Sequence, residues 1–155
     1  MNETQHILAE YDRVIHGNAW HGDPIWHILG TFSAESATQR PLAAAHSVWE
    51  IVMHMTFWEG VAAKRLSGQR AGLVEELNFP APPEATGENW QRTLEEFRHS
   101  NARFREALSK MDAASLDDLS AAGKRSFYEE AHGLIEHNVY HAGQIAILQK
   151  AFPHK

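Results

Sequence analysis

The sequence predicts an all-α protein, a four-helix bundle, and three observations carry that expectation. Apolar residues recur at helical spacing in four long segments. Alternating β-branched runs, the mark of strands, are nearly absent. Two of the four segments open on a Ser-x-x-Glu spacing, which closes a helix N-terminus on itself. With 155 residues, 43% of them hydrophobic, the chain reads as a single domain over residues 1–155 that can bury one core.

The first helix is expected over residues 4–17, with Ile7, Leu8, Tyr11, Val14 and Ile15 on one face and Gly17 at its end. The second is expected over residues 47–66. Ser47 and Glu50 form its capping box, Ser67-Gly68 stop it, and Ile51, His54, Met55, Trp58 and Val61 make its stripe. The third covers residues 88–111, with Trp90, Leu94, Phe97, Asn101, Phe104 and Leu108 facing inward. The fourth runs over residues 126–151, from a Ser126/Glu129 capping box to just before Pro153. Its stripe is Leu134, His137, His141, Ile145 and Leu148.

Two connections are long. Residues 18–46 hold a short helix opened by Asp23-Pro24, a cap residue followed by proline. Residues 67–87 are rich in Gly and Pro and read as irregular. Either is long enough to cross the roughly 30 Å of a 20-residue helix. The expected fold is therefore a bundle with a long crossover connection, not simple up-down-up-down.

Composition excludes several functions. A formal charge of −6 and the lack of any Lys/Arg run argue against a nucleic-acid partner. No apolar stretch is long enough to span a membrane. The start of the chain lacks the basic and apolar segments of a signal peptide, so a cytoplasmic protein is expected. With no cysteine, the chain has no disulfide, no thiolate ligand and no cysteine nucleophile.

Eleven histidines are many for this length, and three of them fall on apolar stripes. His137 and His141 are spaced i, i+4, so one helix face carries both imidazoles one turn apart. His54 brings a third imidazole into the core from another helix. Three neutral imidazoles from two helices make a metal site with open positions for water or substrate. His46 lies about two turns, roughly 12 Å, before His54 and cannot share its ion; it is placed near the helix start, at the pocket rim. His132 is turned off the inward face. His6, His16, His21, His27, His99 and His154 are expected on the surface or in loops.

Other metal motifs fail. A zincin needs Glu directly after the first histidine, and Asn138 stands there. A di-iron bundle needs inward Glu-x-x-His pairs, but Glu3/His6 and Glu96/His99 lie off their stripes. A nitrogen-rich donor set favours Zn, Ni or Fe over Mg or Ca. Groups that would orient the ligands are sought among Glu50, Gln144, Asn101 and Tyr11. Trp20, Trp26, Trp49 and Trp58 are assigned to the core, a pocket wall or an interface.

The strings AHSVWEIVMHMTFWE and GLIEHNVYHAGQIAIL, with GNAWHGDPIWHIL before them, resemble the DinB/YfiT-like metalloprotein superfamily over most of the chain. The Glu50-to-His54 spacing matches that family's first ligand, and His137 and His141 match the second and third. The resemblance implies a four-helix bundle with a long crossover, frequent homodimers, and Zn or Ni with water completing the shell; Fe or Mn are further candidates. In some branches it implies thiol-dependent transferase or isomerase chemistry with bacillithiol, mycothiol or glutathione. The expected function is thus a metal-dependent thiol transferase with a low-molecular-weight thiol cosubstrate. A metal-dependent hydrolase and a non-catalytic metal-binding or stress protein stand as alternatives.

Overall fold

The structure is a computed structural model, and it describes residues 1–152. In chain order its helices are α1 (Glu3–His16), α2 (Ile25–Leu29), α3 (Ala34–Thr38), α4 (Val48–Leu66), α5 (Glu75–Asn78), α6 (Gly87–Ser109) and α7 (Phe127–Lys150). A single 3-10 turn, Ala113–Ser115, lies between α6 and α7. The four expected helices are α1, α4, α6 and α7, each within about two residues of its sequence bounds, which is the ordinary uncertainty of helix ends. No strand occurs among the described residues; the one β-contact is an isolated bridge between Leu119 and Ser126.

Side chains set the helix starts. Ser47 accepts from the Glu50 N–H while the Glu50 carboxylate accepts from the Ser47 N–H, and Ser126 and Glu129 repeat the exchange. Asn2 and Gln5 do the same for α1, one residue before the expected start. Thr86 caps α6 through the Asn89 N–H. After α4 the chain turns at Gly68, whose φ of 76° suits glycine. The short helix after Asp23-Pro24 is present as α2. Two other short helices, α3 and α5, carry too little periodicity to be read from sequence.

One apolar core draws on all four long helices, with Ile7, Tyr11, Trp49, Met55, Phe97, Phe104 and Ile145 almost wholly buried. The crossover lies in residues 67–86. From the end of α4 the chain runs back to Asn78 and Phe79, which lie against His54 and His46 near the start of α4. Then α6 begins beside that same end, where Trp90 packs on Trp49. Trp49 donates to Thr93, and further along Glu59 meets Ser100, so α4 and α6 run parallel. α7 runs the other way: His54 meets His137 near one end and Arg65 meets Glu130 near the other. The crossover thus brings its own backbone to the side of α4 that carries His54.

Candidate metal centre

Three imidazoles converge where α4 and α7 face each other. The Nε2 atoms of His54 and His137 are 2.9 Å apart, and those of His137 and His141 are 3.1 Å apart. One nitrogen from each of the three lies within 4.8 Å of the others. A tetrahedral ion with bonds of about 2.0–2.1 Å separates its nitrogens by about 3.3 Å, so the spacing is near what such an ion requires.

Hydrogen-bond arithmetic decides what this cluster is suited to. The Nδ1 of His54 is 2.7 Å from the carbonyl oxygen of Asn78, which can only accept, so that Nδ1 carries the proton. The Nδ1 of His141 is 2.7 Å from Gln144 Oε1, while Gln144 Nε2 donates to the Tyr140 hydroxyl. Both rings are thereby fixed with a bare lone pair on Nε2, aimed at the same point. His137 Nε2 could donate to one of these nitrogens but not to both. Its Nδ1 is buried without a partner. A cation held by the three Nε2 atoms would take up the converging lone pairs, though it would not give His137 Nδ1 a partner, so the Nε2 donor set fits a divalent metal.

The charge state agrees. Burial, with His141 and His54 close by, pushes His137 down to about 3. Burial also pushes His141 down to about 4. His54 is lowered by burial too, against the opposing bond from Asn78. All three are neutral near pH 7, the form that binds metal.

The crossover clamps the first of these rings. Phe79 stacks on His54 with centroids 3.9 Å apart and planes 6° from parallel. His46 stacks on Phe79 at 3.8 Å and 4°. Trp58 donates its indole N–H to Asn78 Oδ1, which anchors the segment from the other side. His46 therefore stands outside the three-histidine cluster, separated from His54 by the Phe79 ring. His6, His16, His21, His27 and His99 are exposed, and His132 is half-buried near Glu10. His154 lies outside the described residues.

Of the four groups proposed to orient ligands, Gln144 reaches one. Glu50 caps α4 and pairs with Arg40. Tyr11 and Asn101 turn to a residue that sequence reading passed over, Glu59. Its carboxylate is fully buried and accepts from Tyr11 Oη, Ser100 Oγ, Asn138 Nδ2 and Asn101 Nδ2. Burial raises Glu59 to about 7 although all four donors oppose the shift. A signal was present: Glu59 is the lone charged group in the apolar run of residues 51–63, if the histidine is counted neutral. Asn78 and Phe79 left no comparable signal, because Asn78 ends the one-turn helix α5 and Phe79 follows it, a stretch too short to show a period.

A cavity of about 380 Å³ opens beside the cluster, with His54 and His137 at one end and Trp58 and Leu134 in its walls. A larger cleft, about 890 Å³, touches none of the three histidines and belongs to the surface between α4, α6 and the crossover.

A helical bundle with three convergent imidazoles and an adjoining cavity has the architecture of a metal-site protein of the bundle class. The chain belongs to the DinB superfamily, whose family model matches residues 19–145. No curated protein and no solved structure gives a match. No helix among the described residues is long and apolar enough to cross a membrane.

Proposed function

We propose that the protein binds one divalent ion, Zn or Ni by preference, through Nε2 of His54, His137 and His141. We propose further that it uses the ion to transfer a low-molecular-weight thiol to an electrophile. The observation that carries the metal reading is the meeting of Nε2 lone pairs whose rings are held from behind by Asn78 and Gln144. A bound ion would supply Lewis acidity, lowering the pKa of a thiol or water at its open positions. The chain has no cysteine, so the thiol must come from a cosubstrate.

The residues present have definite roles in such a reaction. Asn78 and Gln144 hold two rings in the metal-binding tautomer. Trp58 and Leu134 give the adjoining cavity apolar walls. The thiol loses its proton to solvent, its sulfur forms a bond to the electrophilic carbon, and the leaving group departs with the bonding pair. A titration of cobalt-loaded protein with bacillithiol, mycothiol, glutathione and simple thiols tests the reaction class. A new charge-transfer band in the near ultraviolet is expected. An unchanged spectrum with every thiol at millimolar concentration would remove the thiol and leave hydrolysis or plain metal binding.

A homodimer is the assembly we propose. Tyr140 and Ile147 stand exposed on the same outward stretch of α7, in keeping with a covered helix face. Light scattering at micromolar concentration checks it, and a mass of 17.5 kDa would contradict it.

A further inference from the structure

Gly133 stands in the interior of α7, one helical turn before His137 and on the same face. Glycine is the poorest helix former after proline, so an interior glycine asks for a reason. The usual reason, close approach of a neighbouring element, is absent: a Cβ at Gly133 would meet no heavy atom within 4 Å. Nor does its backbone have a positive φ. Gly133 instead opens onto space. It lines the cavity that ends at His54 and His137, and also a second cleft, about 640 Å³, that touches His137. Gly143, the other glycine of α7, also meets nothing, but it is exposed and lines neither space.

The cavity has a readable chemistry. Trp58, Ala62 and Leu134 make it apolar. Its charged residues balance: Arg65 is paired with Glu130, and Arg125 is accompanied by Glu129. The walls therefore favour neither sign. At the histidine end three neutral imidazoles would leave the 2+ charge of an ion uncompensated, which favours an anion there. A volume of about 380 Å³ lies at the small end of ligand sites, enough for a body about the size of one ring.

We propose that this cavity receives the apolar body of a compact organic anion whose anionic group sits at the three-histidine site, and that Gly133 sets the size of body admitted. The inference rests on the metal reading above and not on the thiol. It makes Gly133 a specificity-determining residue, since each added carbon at that position takes room from the ligand body.

The test uses the cobalt-loaded full chain, with acetate and phenylacetate as probes and the visible cobalt bands as readout. One cobalt per chain is established first; its absence would sink the metal reading itself, and this inference with it. With cobalt bound, the wild type should hold phenylacetate about tenfold or more tighter than acetate. Gly133→Leu should lose that preference while keeping its cobalt and its acetate affinity. Gly133→Ala, whose methyl has room, should lose about threefold in phenylacetate affinity and decides the matter if the leucine variant does not fold. Equal affinities in the wild type, or an undiminished preference in a cobalt-loaded Gly133 variant, would overturn the proposal.

Discussion

Two polar clusters interrupt the apolar core, one around His54 and one around Glu59, and both hang from α4. Each is assembled from several helices and each is largely withdrawn from water. Around Glu59 a single acceptor group meets four donors, from α1, α6 and α7. Around His54 acceptors face acceptors, and one ring nitrogen of His137 has no partner at all. The Glu59 carboxylate finds all its donors within its own chain, although the Asn138 Oδ1 beside it lacks a partner; the histidine cluster has converging lone pairs that its own chain does not fill and that a cation would. Burial alone does not separate a structural polar hub from a ligand site. The balance of donors and acceptors does.

The comparison predicts opposite responses to apolar replacement. Glu59→Leu should destabilise the metal-free protein by about 4 kcal/mol, because it strands four buried donors at once. His137→Leu should leave metal-free stability within about 1 kcal/mol of wild type, or raise it, because it removes a lone-pair conflict and an unpartnered nitrogen. Urea unfolding after chelation measures both. Equal losses in the two variants would erase the distinction between the clusters.

A pH series sharpens the Glu59 side. The folded-state pKa, about 7, stands above the ordinary 4.5, so the folded protein holds this proton more tightly than the unfolded chain. Its contribution is fully present below pH 4.5 and is lost as pH rises through 7. The loss amounts to about 3 kcal/mol. Glu59→Gln lacks that titration. The stability difference, wild type minus variant, should fall by this amount between pH 4.5 and pH 8. The histidines are common to both proteins and cancel. A difference independent of pH would show that Glu59 is not raised.

On the histidine side the effects are graded by distance from the nitrogens. Phe79→Ala should weaken metal binding about tenfold in a chelator competition while leaving helix content unchanged, and Phe79→Trp should restore most of it, because the aromatic plate holds the His54 ring. An unchanged affinity for Phe79→Ala would reduce the plate to packing. The smallest effect is expected for His46→Ala, which removes only the outer ring of the stack. Its metal stoichiometry should stay near that of wild type, and a loss would bring His46 into the ligand set.

The same contrast explains what was legible beforehand. The four long helices announce themselves through period and capping boxes, because both are local properties of the chain. His54, His137 and His141 could be singled out because each sits on an apolar stripe, and a stripe tells which face turns inward. The Glu59 hub is not marked by the stripe, which passes through Trp58 and Val61 on either side of it; its one signal is a lone carboxylate in an apolar run. The Asn78–Phe79 clamp lies beyond such reasoning. Its residues meet His54 only because the crossover returns along α4, and a one-turn helix such as α5 is too short to show a period. Gln144 could be named as a partner for His141 because i, i+3 neighbours share a helix face, whereas the carbonyl behind His54 comes from 24 residues away.

The central claim is that the convergent nitrogens form one metal site, and metal content tests it most directly. Wild type and the His54→Ala/His137→Ala/His141→Ala variant, purified alike and shown by circular dichroism to share the helical fold, would be compared by elemental analysis. The account predicts one divalent ion per chain in the wild type and none in the variant. Full metal content in the variant would place the ion elsewhere and contradict the account.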